Sequence, residues 1–281
     1  MDNEAAVRLG FFIGILVLVA LGELVSPRRA LTTSKAGRWL GNLGVVALDT
    51  LTVRLLFPII GVQVAAAAQE KGWGLLNVLQ LPDWLSILLA ILVLDLVVYL
   101  QHLMFHAVPL IWRVHMMHHA DLDIDVTTGL RFHPIEIVIS MLIKMSAIAA
   151  LGPSVFAVIL FEIILNGTAM FNHGNLKLPL SLDRFLRFFV VTPDMHRVHH
   201  SVIIRETNSN FGFNFPWWDR LFGTYRAQPV AGHEGMTIGL AQFRDPAKKH
   251  LPWMLIMPFT EKAGNYSLNR LGADPESVLK K

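Results

Sequence analysis

Residues 7 to 25, VRLGFFIGILVLVALGELV, run for 19 positions with Arg8 and Glu23 as the only charges. As a helix rising 1.5 Å per residue they span roughly 28 Å, close to the thickness of a bilayer's hydrocarbon core. A cleaved leader is the rival reading, but Arg8 is a weak positive flank. The following SPRRALTTSKAGR also lacks a small-x-small cleavage site, so a retained helix is expected. Further apolar runs follow at 39–68, 84–108, 135–150 and 153–171. The run 39–68 holds Asp49, Arg54 and Pro58, and reads as one kinked helix or a helix plus an interfacial piece. LGPS separates the last two runs and reads as a turn between paired spans. Only 16% of residues are charged, against about 25% in soluble domains, too few to cover a water-facing surface. The expected fold is an all-α integral membrane helical bundle of about four membrane-embedded helices, with a cytoplasmic helical cap.

Three regions follow from the runs: N-terminal membrane helices over 1–83, a histidine-rich region over 84–226, and a tail over 227–281. Trp73 and Trp84 suit interface anchors, and LPWMLIMPF (251–259) is too short to span and reads as an interfacial segment. The loop 26–38 carries Arg28, Arg29, Lys35 and Arg38, whereas 69–83 carries only Lys71. The positive-inside rule therefore puts 26–38 in the cytoplasm and the N-terminus outside. Segments 109–134 and everything after about 172 then fall on the cytoplasmic side. The net charge of +3 is small and forms no basic stripe, which argues against a nucleic-acid partner. The absence of cysteine excludes disulfides, thiol nucleophiles and thiolate-held iron centres.

Eight of the twelve histidines stand in three clusters: HLMFH (His102, His106), HMMHH (His115, His118, His119) and HRVHH (His196, His199, His200). On a helix, positions i, i+3 and i+4 share a face, so each cluster can aim its imidazoles at one point. A lone histidine near an interface is usually structural. Three such clusters on one predicted side of one membrane point to metal, and imidazole suits iron, zinc, copper and nickel. Eight donors exceed the six positions of one ion, so two ions are the economical count. A zinc hydrolase of the H-E-x-x-H kind needs a glutamate beside the first histidine, where this chain has Leu103, Met116 and Arg197. A membrane zinc hydrolase is thus one alternative, and a non-catalytic metal-binding protein is another.

The order H-x-x-x-H, H-x-x-H-H, H-x-x-H-H resembles the fatty acid hydroxylase / sterol desaturase superfamily of membrane enzymes. Flanking DLVVYLQHLMFH, RFHPIE and DMHRVHHSVIIRETNSNFGFNFPWWDRLFGTYR strengthen the likeness, which covers about residues 90 to 226. The resemblance implies a non-haem centre of two iron ions that activates O2 and attacks an unactivated C–H bond of a lipid, hydroxylating or desaturating it. It implies an external electron donor of ferredoxin or cytochrome b5 type. By the same resemblance, His102, His106, His115, His118, His119, His196, His199 and His200 are catalytic metal ligands, joined by His173 and by His133. His133 also suits a helix-start turn before Pro134. Each liganding ring needs an acceptor for its other N–H, and Asp95, Glu136 and Asp194 are expected there. His233 and His250 read as surface residues. The NSNFGFNFPWWDRLFG segment reads as a packed loop capping the site, with Trp217 and Trp218 as membrane-facing anchors.

Overall fold

A computed structural model describes residues 4–246, 248 and 250–268. Every regular element among these residues is helical, and β pairing is limited to two isolated bridges, Pro27 with Leu176 and Ser201 with Ile238. Five stretches are long and apolar enough to cross a bilayer. They are α1 (Glu4–Val25), α2 (Lys35–Leu56) with its continuation through α3 (Gly61–Lys71) and α4 (Leu75–Leu79), α5 (Asp83–Ala107), α7 (Pro134–Leu151) and α8 (Val155–Asn172). The sequence suggested about four. The runs on either side of LGPS form two helices of 18 residues each, the paired spans that the turn implied, and with α1, α2 and α5 they make five candidates. Outward residues such as Leu18, Leu24, Leu40 and Leu55 remain exposed and apolar, as a lipid-facing surface requires.

Local chemistry sets the boundaries. The 39–68 run breaks at Pro58, which has no N–H to donate, and resumes as α3. Ser34 opens α2 by accepting from Gly37 N, and Ser154 opens α8 by accepting from Ala157 N. Gly152 closes α7 in the left-handed conformation, at φ 63°. A Cβ there would also lie 2.5 Å from the Trp73 carbonyl oxygen, so this turn admits only glycine.

The bundle core joins Leu94 of α5, Ile148 of α7 and Phe161 of α8, all fully buried. α8 also packs along α1, and α7 along α2 and α3. At one end of the bundle sits a layer of short helices: α6 (Pro109–His119), α9 (Leu180–Leu186), α10 (Pro193–His199), α11 (Ile204–Thr207), α12 (Trp217–Leu221), α13 (Gly232–Gly235) and α14 (Leu251–Thr260). The loop after α1 folds under the same end. Arg28 N donates to Asn175 O, Thr32 and Thr33 donate to the Asp123 carboxylate, and Arg38 is buried between Asp121 and Asp125. Segments 26–34, 109–134 and the described residues from 173 to 268 therefore meet in one layer.

The expected tail is part of that layer. Phe243, Met254, Met257 and Tyr266 pack with Trp112 and Met116 of α6 in one apolar cluster. α14 keeps Ile256 and Phe259 exposed, as an interfacial segment would. The remainder of the tail, 269–281, lies outside the described residues.

Candidate metal centre

The three clusters come together where the bundle meets the short-helix layer. His102 and His106 lie one turn apart at the end of α5. Pro109, which suits a helix's first position, starts α6 and turns the chain so that His115, His118 and His119 face them. Thr192 caps α10 by accepting from Met195 N, with Pro193 at its first position, and so delivers His196 and His199, with His200 at its end. All eight are buried, and His173, which ends α8, joins them.

Nine histidines form two groups, each with ligand atoms within 4.8 Å of one another: His102, His106, His115, His119 and His199; then His118, His173, His196 and His200. The clusters are not each assigned to one point, as the sequence suggested. In HMMHH the i and i+4 rings enter the first group and His118 the second. In HRVHH the i and i+4 rings enter the second group and His199 the first. α6 and α10 therefore meet with each lending one ring across, and the two groups stay in contact. The His118–His119 ring centroids are 5.2 Å apart and those of His199–His200 5.4 Å.

Tautomers follow from the partners. Carbonyl oxygens only accept, so the Nδ1–H of His102 donates to Phe211 O at 2.8 Å and that of His199 to Ser209 O at 2.8 Å. In the same way His118 donates to Arg131 O at 3.2 Å and His173 to Ala169 O at 2.7 Å. His115 donates to the Glu136 carboxylate at 2.7 Å. His106 donates to Asn208 Oδ1 at 3.0 Å, and Asn208 Nδ2 in turn donates to Tyr266 O, which fixes that amide's orientation. Each of these six rings thus presents a bare Nε2 lone pair inward.

That arrangement fits a cation. His118 and His173 have both given their Nδ1–H to carbonyls, yet their Nε2 atoms face each other at 3.2 Å. His196 Nε2 lies 3.1 Å from His173 Nε2. The His118 and His173 lone pairs repel at 3.2 Å unless a positive centre lies between them. The Nε2 atoms of His102, His106, His115, His119, His199 and His200 are buried with no hydrogen-bond partner among the described residues. Burial pushes His115 and His173 down to about 3 and holds His118, His119, His196, His199 and His200 well below the ordinary imidazole range. Neutral rings are the form that donates to a metal.

His133 stands outside both groups. It caps α7: its Nδ1 accepts from Ile135 N, so its proton is on Nε2, which donates to Leu255 O at 3.2 Å. Both ring nitrogens are used, leaving no lone pair for an ion. Of the expected acceptors, Glu136 alone holds a ring of the cluster. Asp95 instead accepts from Trp218 Nε1 and Asn214 N, because the face of α5 that carries it meets the 208–219 loop. Asp194 binds Arg28 and Arg197 instead of a ring. His233, read as a surface residue, is buried with its Nε2 3.6 Å from that same carboxylate. Trp218 is likewise no membrane anchor, since its indole N–H is spent on Asp95, whereas Trp217 is partly exposed and stacks on Phe215.

The acceptors that sequence reasoning missed are the Asn208 side chain and four main-chain carbonyls, and no side-chain pattern marks the carbonyls. Two of these carbonyls come from the NSNFGFNF loop, which does pack as a cap. Asn210 holds it in the left-handed conformation, φ 54°, by donating to Met195 O and Arg226 O, and Asp219 accepts from Phe211 N and Gly212 N. The local signal was asparagine and glycine in a stretch otherwise rich in phenylalanine.

A cavity of about 360 Å³ rises from His102 and His115 into the bundle between α1, α2, α5, α7 and α8. Phe12, Val98, Phe105, Met141 and Leu165 make its walls largely apolar. Its size and lining are those of a small-molecule site.

Residues 87–224 match the family model described as fatty acid hydroxylase. Ornithine lipid hydroxylase OlsE of Rhizobium tropici is 27% identical over 153 residues, 53% of this chain and 44% of its own length. Alkylglycerol monooxygenase of Homo sapiens is 29% identical over 170 residues, 59% of this chain and 35% of its own. Very-long-chain aldehyde decarbonylase GL1-11 of Oryza sativa subsp. indica is 28% identical over 167 residues, 58% of this chain and 62% of its own. The chain thus spans less than half the length of the first two. No solved structure matches.

Proposed function

The chain belongs, through residues 87–224, to the fatty acid hydroxylase family, and from that premise we propose that it is a membrane oxygenase acting on a lipid. The observation that carries this reading is the pair of buried imidazole groups at the foot of an apolar cavity. Two iron ions are the proposed occupants, one held by His102, His106, His115, His119 and His199, the other by His118, His173, His196 and His200. When bound, they supply O2 activation near the cavity floor. The net reaction inserts one oxygen atom into a C–H bond or removes two hydrogens. In either case the balance takes two electrons from a ferredoxin or cytochrome b5-type donor and two protons from solvent, and releases one water on hydroxylation or two on desaturation.

The protein's own part is positioning. The carbonyls of Phe211, Ser209, Arg131 and Ala169, with Glu136 and Asn208, fix the proton of six of the nine rings on Nδ1 and aim the other nitrogen inward. Apolar walls bring an alkyl segment against His102 and His115 and keep water from it. The basic loop 26–38 supports placing the metal layer, with the C-terminal region, on the cytoplasmic side, where a soluble electron donor has access.

The relatives point to related chemistry on different lipids: an ornithine lipid hydroxylase, an alkylglycerol monooxygenase and an aldehyde decarbonylase. A hydrolase is not favoured, since the H-E-x-x-H glutamate is replaced in all three clusters and the carboxylate that reaches the rings, Glu136, is hydrogen-bonded to His115 through Oε1. The test is anaerobic purification with metal analysis, then mass spectrometry of lipids from cells with and without the protein. Two irons per chain and an O2-dependent gain of one oxygen, or loss of two hydrogens, are expected. Zinc in the site, or lipid turnover that proceeds without O2, would overturn the reading.

A further inference from the structure

The cavity above the histidines holds a carboxyl that the fold leaves without a donor. Asp49, on α2 and about nine-tenths buried, lines the chamber. Its Oδ1 has no hydrogen-bond partner among the described residues. The other charged side chains of the cavity wall each have a partner, although Glu136 engages only its Oε1 and its buried Oε2 has none among the described residues. Lys144 donates to Glu162, which also binds Arg8, and Glu136 accepts from His115. Gln101 and Ser140 bond to each other. Asp49 and Glu136 are close enough to repel. A buried carboxyl with no donor costs stability, whereas an apolar residue of similar volume would cost nothing there. Such a group is explained if the donor arrives with the ligand.

We propose that Asp49 selects the substrate: the cavity takes a lipid whose alkyl part lies along its apolar walls and whose hydroxyl or amine hydrogen is donated to the Asp49 carboxyl. This rests on the reading of the cavity as the substrate chamber and narrows it from lipids in general to those bearing a hydrogen-bond donor close to the carbon that reaches the metal layer. A carboxylate discriminates by leaving itself unpaired when the donor is missing, which is the strongest form of hydrogen-bond selectivity available to a buried site. Asp49 touches none of the proposed ligands, so it acts on which molecule binds and where along its length.

The test uses three probes of one chain length, hexadecylamine, hexadecanol and hexadecyl methyl ether. Their binding to the intact protein is measured by native mass spectrometry in detergent, without O2 and with metal content recorded in parallel. The wild type should hold the amine or the alcohol about tenfold or more tighter than the ether. Asp49→Leu, which removes the burden of a buried carboxyl and should fold at least as well, should bind all three alike while its ether affinity stays unchanged. Asp49→Asn, which keeps an accepting oxygen but no charge, separates the two sources: it retains a preference for the alcohol and loses one for the amine. Equal binding of the three probes by the wild type, or a donor preference that survives in Asp49→Leu, overturns the proposal. Failure of the oxygenase reading shows separately, as a wrong metal or turnover without O2, because probe binding requires neither turnover nor O2.

Discussion

Glu136 allows the link between orientation and metal affinity to be measured in graded steps. Its Oε1 accepts from His115 Nδ1 at 2.7 Å, with the two side chains 2% and 1% exposed, so water replaces neither partner. Glu136→Gln keeps an oxygen in reach and loses only the charge. A hydrogen bond to a charged group contributes about 1.5–3 kcal/mol and a neutral one about 1 kcal/mol, so the loss is on the order of 1 kcal/mol, or about fivefold in affinity. Glu136→Ala removes the acceptor, frees the ring to turn and buries an unsatisfied N–H. Loss of such a partner typically lowers metal affinity about 10–100-fold. The expected order is therefore wild type, then Gln, then Ala. The assay is anaerobic competition for Fe(II) against a chelator of known affinity, with size-exclusion profiles confirming folded protein. An alanine variant that binds as tightly as wild type, or a glutamine variant weaker than alanine, would refute the idea that this contact aims His115.

Gly129 lies where a Cβ would stand 2.5 Å from the Ala169 carbonyl oxygen and 3.1 Å from His173 Nδ1. Gly129→Ala should therefore displace the acceptor of His173 and lower metal content, at an overpacking cost of about 1–3 kcal/mol, while Gly10→Ala, with nothing within 4 Å, should not; metal analysis of both decides. His133→Ala should lose about 1 kcal/mol through its helix cap and keep its full metal content, as thermal shift and metal analysis would register. A lost metal would put His133 back among the ligands. Stripped of metal, the protein should lose stability as pH falls. With folded-state values depressed to about 3 for His115 and His173, their neutral form contributes in full above about 6.5. Between about 6.5 and 3 the unfolded chain takes up protons that the folded chain does not, at about 1.4 kcal/mol per pH unit for each ring. A midpoint temperature of the metal-free protein that does not fall from pH 7 to pH 5 would contradict this.

The C-terminal arm shows what a single sequence hides. LPWMLIMPF reads as a detached interfacial piece because its composition reports only that it avoids water. Packing decides that Met254 and Met257 face α6 while Ile256 and Phe259 stay out. The Arg38 contact is similar. Its charge counts toward topology in the sequence, but in the fold it is spent on Asp121 and Asp125, more than eighty residues away.

The sequence by itself marked the candidate spans, because apolar length is matched to a bilayer whatever the helices then touch, and it marked the eight histidines of the three clusters, because imidazole at i, i+3 and i+4 is a local property of one helix. Only the tertiary structure decided how the donors divide. His118 and His199 enter the opposite group because distant segments bring the rings of α6 and α10 together so that they interleave. It also decided which rings remain free. His133 spends both nitrogens on a cap and a carbonyl, while His102 and His199 are aimed by main-chain oxygens of a loop about a hundred and about ten residues further on. Every residue carries such an oxygen, so sequence identity cannot mark the ones that matter; only the path of the backbone does.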